Sequence, residues 1–163
     1  MIIRDATIDD IPAVIAIERQ CDSAAHWSES QYHRLFDTEP SRFLSRLVLL
    51  VEEKEGGMQR HPLSKPGMAG FLVARKIDCE WELENVAIAP GVRRRGLATI
   101  LLQELSQRAR EANGQALFLE VRESNRAARS FYEKFGFNQT GRRKNYYERP
   151  VEDAMLYRRT LTK

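Results

Sequence analysis

Cysteine is scarce in this chain: Cys21 and Cys79 are the only two, and they form no Cys-x-x-Cys pair. That usage points to a reducing cytoplasm. The three histidines, His26, His33 and His61, fall on dissimilar segments, so no metal site is expected. Long apolar runs are also missing. Leu47–Val51 is only strand length, far short of the ~20 residues that span a bilayer, so no membrane role is expected. The opening Met1-Ile2-Ile3-Arg4-Asp5 lacks a signal-peptide pattern. No Gly-Lys-Ser/Thr follows the basic turn near residue 96, which excludes a Walker loop, and the glycine spacing is wrong for a dinucleotide fingerprint. The chain is basic, with a pI of about 9.0. Its arginines have no stacking-aromatic motif beside them, which argues against nucleic acid as a partner.

What remains is a soluble globular composition, 42% hydrophobic and 30% charged, over 163 residues. That length suits one domain, 1–163. The net charge of +3 hides an asymmetry: residues 1–90 carry 10 Lys/Arg and 15 Asp/Glu, and residues 91–163 carry 16 and 8. A basic half suits a polyanionic ligand and an acidic half suits a cationic one.

Patterning predicts the element order β-α-α-β-β-β-α-β-α-β-β, an α/β fold with a mixed sheet. Ile2–Ala6 reads as an edge strand. Thr7-Ile8-Asp9-Asp10 resembles a capping box and opens a helix carrying Ile11, Val14, Ile15 and Ile17. Ser28-Glu29-Ser30-Gln31 opens a second helix, through about Phe36. Leu47–Glu52 and Ala69–Lys76 read as a hairpin around a mobile loop, Glu53–Gly67, and Trp81–Ile88 as the next strand. Arg95–Asn113 is the longest helix, with Leu97, Ile100, Leu101, Leu105, Ala109 and Ala112 on one face and Gly114 as its terminator. Ala116–Arg122 is a buried strand. Asn125 caps a helix through Lys134 that Gly136 ends, and Phe137–Lys144 and Ala154–Leu161 close the sheet.

The densest signal is Val86-Ala87-Ile88-Ala89-Pro90-Gly91-Val92-Arg93-Arg94-Arg95-Gly96-Leu97-Ala98-Thr99. A strand running through a small basic turn into a helix start is an anion trap, because first-turn N–H groups are free and the helix dipole adds positive charge. Arginine pairs well with phosphate, and Gly96 lets backbone approach closely. A solvated arginine cluster is the plainer alternative.

The motif Arg93-x-x-Gly96-x-Ala98 resembles the pyrophosphate loop of the GNAT superfamily of N-acetyltransferases. The pattern Asn125-x-x-Ala128-x-x-x-Tyr132-x-x-x-Gly136-Phe137 resembles that family's second signature, in the family's order. Within the superfamily the chain resembles the bacterial ribosomal-protein alanine N-acetyltransferases, the RimI type. The residues carrying this are Trp27-Ser28, Leu119-Glu120-Val121-Arg122, Arg143-Lys144-Asn145-Tyr146-Tyr147 and Glu152-Asp153-Ala154; His26 stands where the family usually has proline. The resemblance implies a GNAT-like fold of about seven strands and four helices, and acetyl-CoA as co-substrate. It assigns co-substrate binding to Val86, Ala87 and Ile88 through their main chain, to Arg93, Arg94, Arg95, Gly96, Leu97, Ala98 and Thr99, and to Asn125. It implies Glu120 as general base and Tyr132 as the acid for the thiolate, with Trp27, Glu84, Tyr146 and Tyr147 shaping the acceptor site. The acceptor would be a peptide or protein N-terminus, ribosomal by this resemblance, and the protein a monomer or weak homodimer.

The residue types allow this chemistry. An α-amino group of pKa ~8 needs only a modest base, whereas lysine at ~10.4 demands more. Glu120 is a carboxylate in an otherwise apolar strand, costly unless paired or functional; a salt bridge to Arg122 or Arg143 is its plainer reading. Glu84 and Glu82 are rival bases. Tyr132 could instead be a core anchor beside Phe131 and Phe135, and Asn125 a simple N-cap. Other functions left open are an acetyltransferase for a small amine and a non-catalytic CoA sensor.

Overall fold

A computed structural model of the chain describes residues 1–22, 24–37, 46–53 and 67–161. In chain order the elements are β1 (Ile2–Asp5), α1 (Ile11–Glu18), α2 (Glu29–His33), β2 (Arg46–Glu52), β3 (Met68–Ile77), β4 (Glu80–Ile88), α3 (Leu97–Glu111), β5 (Ala116–Arg122), α4 (Arg126–Lys134), β6 (Asn138–Glu148) and β7 (Val151–Thr160), with single 3₁₀ turns before α1, after α2 and after β4. This is the order that the patterning predicts. The expected loop between β2 and β3 lies outside the described residues over 54–66; its ends meet where the Glu53 N–H donates to the Gly67 carbonyl at 2.8 Å.

The strands form one seven-stranded sheet, β1-β2-β3-β4-β5-β7-β6. Only β4 and β5 pair in parallel, joined by the α3 crossover; the other neighbours are antiparallel. β2 and β3 are apolar in nearly every position and buried on both faces, as inner strands covered by helices must be. α1 is buried almost all round, so it is wedged in the core rather than laid on it.

Both capping boxes form. Asp10 accepts the Thr7 N–H at 2.9 Å, and Gln31 accepts the Ser28 N–H at 2.8 Å. Several expected boundaries shift: α2 ends at His33, with a 3₁₀ turn through Phe36, and β7 runs from Val151 to Thr160 rather than from Ala154 to Leu161; three further differences have identifiable reasons. α3 starts at Leu97, not Arg95, because Gly96 is its N-cap with φ +80°. Past the end of α3 the left-handed residue is Asn113 (φ 57°), not Gly114. Gly114 is required for space: a Cβ there would lie 2.7 Å from the Ala109 carbonyl oxygen and 2.9 Å from Trp81. β6 continues to Glu148 instead of ending at Lys144, so Tyr146 and Tyr147 lie in its last stretch before the turn, beside a register shift. Leu102, not Ile100, joins Leu97, Leu101, Leu105 and Ala109 in the fully buried face of α3.

Candidate functional site

The site begins with a strand that changes partners. β4 pairs with β5 only from Glu80↔Ala116 to Leu83↔Leu119, and beyond that the two strands part. At the same point the β3–β4 register passes from Ala74↔Leu83 to Val73↔Asn85, leaving Glu84 as an extra, bulged residue. A bulge bends its strand and re-aims side chains. From here β4 stays paired with β3, and its backbone groups on the β5 side have no ladder partner.

A cavity of about 320 Å³ fills the opening. Glu84, Asn85, Glu120, Arg122, Tyr132 and Tyr147 are among its lining residues. A second cavity of about 620 Å³ adjoins it, lined by Arg93, Arg94, Gly96, Leu97, Ala98 and Thr99. Val86, Ile88, Asn125 and Phe131 border both. Side by side, the two extend from the parted strands to the N-terminus of α3.

At that N-terminus the first intrahelical bond runs from the Ile100 N–H to the Gly96 carbonyl, 3.1 Å, so the amides of Leu97, Ala98 and Thr99 precede it and face outward. Arg94 (φ 63°) and Gly96 are both left-handed. A Cβ on Gly96 would meet no atom within 4 Å, so the space beside the glycine is open and only its φ demands glycine. Arg93 donates to the Ile88 carbonyl at 3.0 Å and to Cys21 Sγ at 3.0 Å. Arg95 turns elsewhere, pairing with Glu53 at 3.1 Å, and does not line the cavity. The open glycine, the free amides and two lining arginines fit a pyrophosphate.

At the other end, Glu120 Oε1 lies 3.2 Å from Arg143 Nη2, whose side chain is 55% exposed. The Tyr146 and Tyr147 rings meet edge-on, 5.2 Å apart, and burial, with the nearby Glu120 carboxylate, raises the Tyr146 pKa. Burial pushes the Tyr147 phenol up to about 12, and the Arg122 guanidinium sits 4.1 Å from its ring. Tyr132 is buried between Phe131 and Phe137, and burial raises its pKa further. It is thus held as a neutral phenol able to donate a proton, and it is also a core aromatic. Asn125 likewise does two things: its Oδ1 caps α4 by accepting the Ala128 N–H at 3.2 Å, and it borders both cavities.

Glu84 is held differently. Arg75 and Arg46 stand 3.4 and 3.5 Å from its carboxylate, yet burial outweighs them and raises its pKa. Its neighbours are paired too, Glu82 with Arg75 and Glu80 with Arg158. Trp27 is not at the cavity. It packs on Tyr32 at 5.5 Å, while Ala24 and Ala25 from the same loop line the cavity instead. Nothing in the sequence marks those alanines. Asn85 is also missing from the sequence-derived set; its signal was a polar residue at a buried strand position.

The acetyltransferase (GNAT) family model matches residues 11–137. The [ribosomal protein bS18]-alanine N-acetyltransferase of Salmonella typhimurium is 34% identical over 149 residues, spanning 90% of this chain and 88% of the relative. That of Escherichia coli K12 is 32% identical over 146 residues, 89% and 84% of the two chains. The crystal structure of the ribosomal-protein-S18-alanine N-acetyltransferase from Escherichia coli matches with a TM-score of 0.74 at 29% identity, over 99% of this chain and 94% of that one.

Proposed function

Since the chain belongs to the acetyltransferase (GNAT) family, and so is an acyltransferase, we propose that it moves the acetyl group of acetyl-CoA directly onto the N-terminal α-amino group of a ribosomal protein, bS18 being the one its relatives' names indicate. The observation that carries this reading is the shared cavity. Glu120 and Tyr132 border it, and it opens through Val86, Ile88 and Asn125 onto the basic loop of α3.

Acetyl-CoA supplies the thioester. Arg93, Arg94 and the amides of Leu97, Ala98 and Thr99 hold its pyrophosphate, and the main chain of Val86–Ile88 on the side away from β3 receives its amides and acetyl carbonyl, the Ile88 carbonyl only once Arg93 and Cys21 release it. Donors fixed in advance cost no reorganisation during reaction. Arg95 joins only if it leaves Glu53. The attacking amine must be neutral; at pKa ~8, on the order of a tenth of it is neutral at pH 7. Glu120 removes the remaining proton through a water, and the Tyr132 O–H protonates the departing thiolate sulfur. Direct transfer also fits the cysteines: Cys21 Sγ is occupied by Arg93 and the Ile88 carbonyl, and Cys79 lies in the turn between β3 and β4. The reading takes residues 1–163 as one domain working in the cytoplasm, as a monomer or weak homodimer.

The test is mass spectrometry of peptides incubated with the enzyme and acetyl-CoA. Alanine-starting peptides of ribosomal type should gain one acetyl group on the α-amine. Preference for free lysine or a small polyamine would replace this reading with a small-amine enzyme.

A further inference from the structure

One buried acidic side chain takes no part in the chemistry proposed above. Glu18, the last residue of α1, is 1% exposed and does not line the cavity. Its Oε1 accepts from Asn85 Nδ2 at 2.7 Å and from the Trp27 backbone N–H at 3.2 Å. Asn85 Nδ2 also donates to the Tyr32 hydroxyl at 3.2 Å. The group therefore joins four places: the end of α1, the loop at Trp27, α2 through Tyr32, and β4 through Asn85. Asn85 follows the bulged Glu84 and borders the cavity. Ala24 and Ala25, just ahead of Trp27, line the same cavity as Glu84 and Asn85 of β4.

The described residues of this loop are exposed or half-exposed, its ring anchor is Trp27 on Tyr32, and His26 within it is left-handed, φ 53°. A buried acceptor gripping its backbone adds to that anchor, because a buried polar group left unpaired is costly. We infer that Glu18 is a positioning residue for acceptor selection: through Trp27 and Asn85 it fixes the Ala24–Ala25 wall at a distance from β4 that admits a small first side chain and refuses a large one. This rests on the proposed reading of a peptide N-terminus as acceptor, and adds to it what selects that terminus. A rigid apolar pocket discriminates one methylene by about 10–200-fold, but only if its wall cannot retreat.

The experiment compares kcat/KM for otherwise identical peptides starting with alanine or leucine, with acetyl-CoA affinity measured by calorimetry on the same proteins. Glu18→Met removes the acceptor that Asn85 and the Trp27 N–H share, and Asn85→Asp faces two acids together; each should cut the alanine-over-leucine ratio about tenfold or more. The change should come chiefly from the peptide KM, with acetyl-CoA affinity unmoved. The double variant Glu18→Gln/Asn85→Asp restores a donor opposite an acceptor and should restore the ratio. A merely stabilising role would lower the melting temperature without a selective change in the ratio. If the single variants do not fold, Ala25→Val tests the wall with the network intact, and should favour glycine-starting over alanine-starting peptides by about tenfold. An unmoved ratio in folded variants overturns the inference alone. A wild-type enzyme that acetylates free amines and no peptide overturns the proposed function, and this inference with it.

Discussion

Glu120 and Glu84 border the same cavity but keep different company. Glu84 is wedged between Arg75 of the neighbouring β3 and Arg46 of β2 beyond it, whereas Glu120 has one half-exposed arginine that can swing into solvent. A base must be free to accept a proton when the amine arrives, and Glu120 is the freer of the two. Glu120→Gln and Tyr132→Phe should each lower kcat by about 10²–10⁴-fold, with acetyl-CoA affinity intact by calorimetry; Glu84→Gln should cost far less. The reverse order would move the base to β4. Gly96 is a second test at this scale. The structure leaves room for a side chain there, but φ +80° penalises any L-residue by about 1–2 kcal/mol. Gly96→Val should weaken acetyl-CoA binding more than it lowers the melting temperature, since relieving the strain re-aims the amides of α3. Unchanged affinity would remove this loop from the binding site.

Among the elements, α4 and the β6–β7 hairpin carry separable predictions. Asn125 both caps α4 and borders the cavities. Asn125→Asp keeps a capping oxygen but brings a negative charge to the cavity proposed to hold the co-substrate. It should retain thermal stability and lose acetyl-CoA affinity, whereas Asn125→Ala should lose about 1 kcal/mol of stability as well. In the hairpin, Asp153 accepts the Asn145 N–H at 2.8 Å and pairs with Arg142, so its pKa is depressed, first by that backbone bond and then by the arginine. A depressed acid stabilises the fold above its unfolded pKa, and that contribution disappears as pH falls through the lower, folded value. Urea midpoints taken from about pH 5 down to about pH 2 should therefore fall less steeply for Asp153→Asn than for the wild type. Parallel curves would deny the pair its role.

For the molecule as a whole, the charge division between the two halves is largely settled internally. Glu80, Glu82 and Glu84, the acidic run expected to meet a cationic acceptor, are held by Arg158, Arg75 and Arg46. Arg95 of the basic loop is likewise held by Glu53. Paired charges offer little to a partner, and exposed ones are screened beyond ~8 Å at physiological salt. Alanine-starting peptides followed by arginine should thus be preferred over those followed by glutamate by no more than about tenfold, the preference shrinking with added salt. A salt-resistant preference of a hundredfold would mean that these pairs open to receive the peptide.

Element order, both capping boxes, the basic turn ahead of Leu97 and the Asn125–Tyr132 helix were all legible in the sequence, because each depends on residues within a few positions of one another. Apolar periodicity and caps act locally, and a loop that cradles phosphate must be contiguous. The rest waited on tertiary structure because it depends on register between distant strands. The bulge that isolates Glu84 exists only in the pairing of β4 with β3, and the cavity only where β4 and β5 part after Leu83. Gly114 is glycine because Trp81 lies against it, not because the chain turns there. Ala24 and Ala25 carry no chemistry that a pattern could flag. They border the site because Glu18 and Asn85, 67 residues apart, meet through a buried hydrogen bond that no local signal encodes.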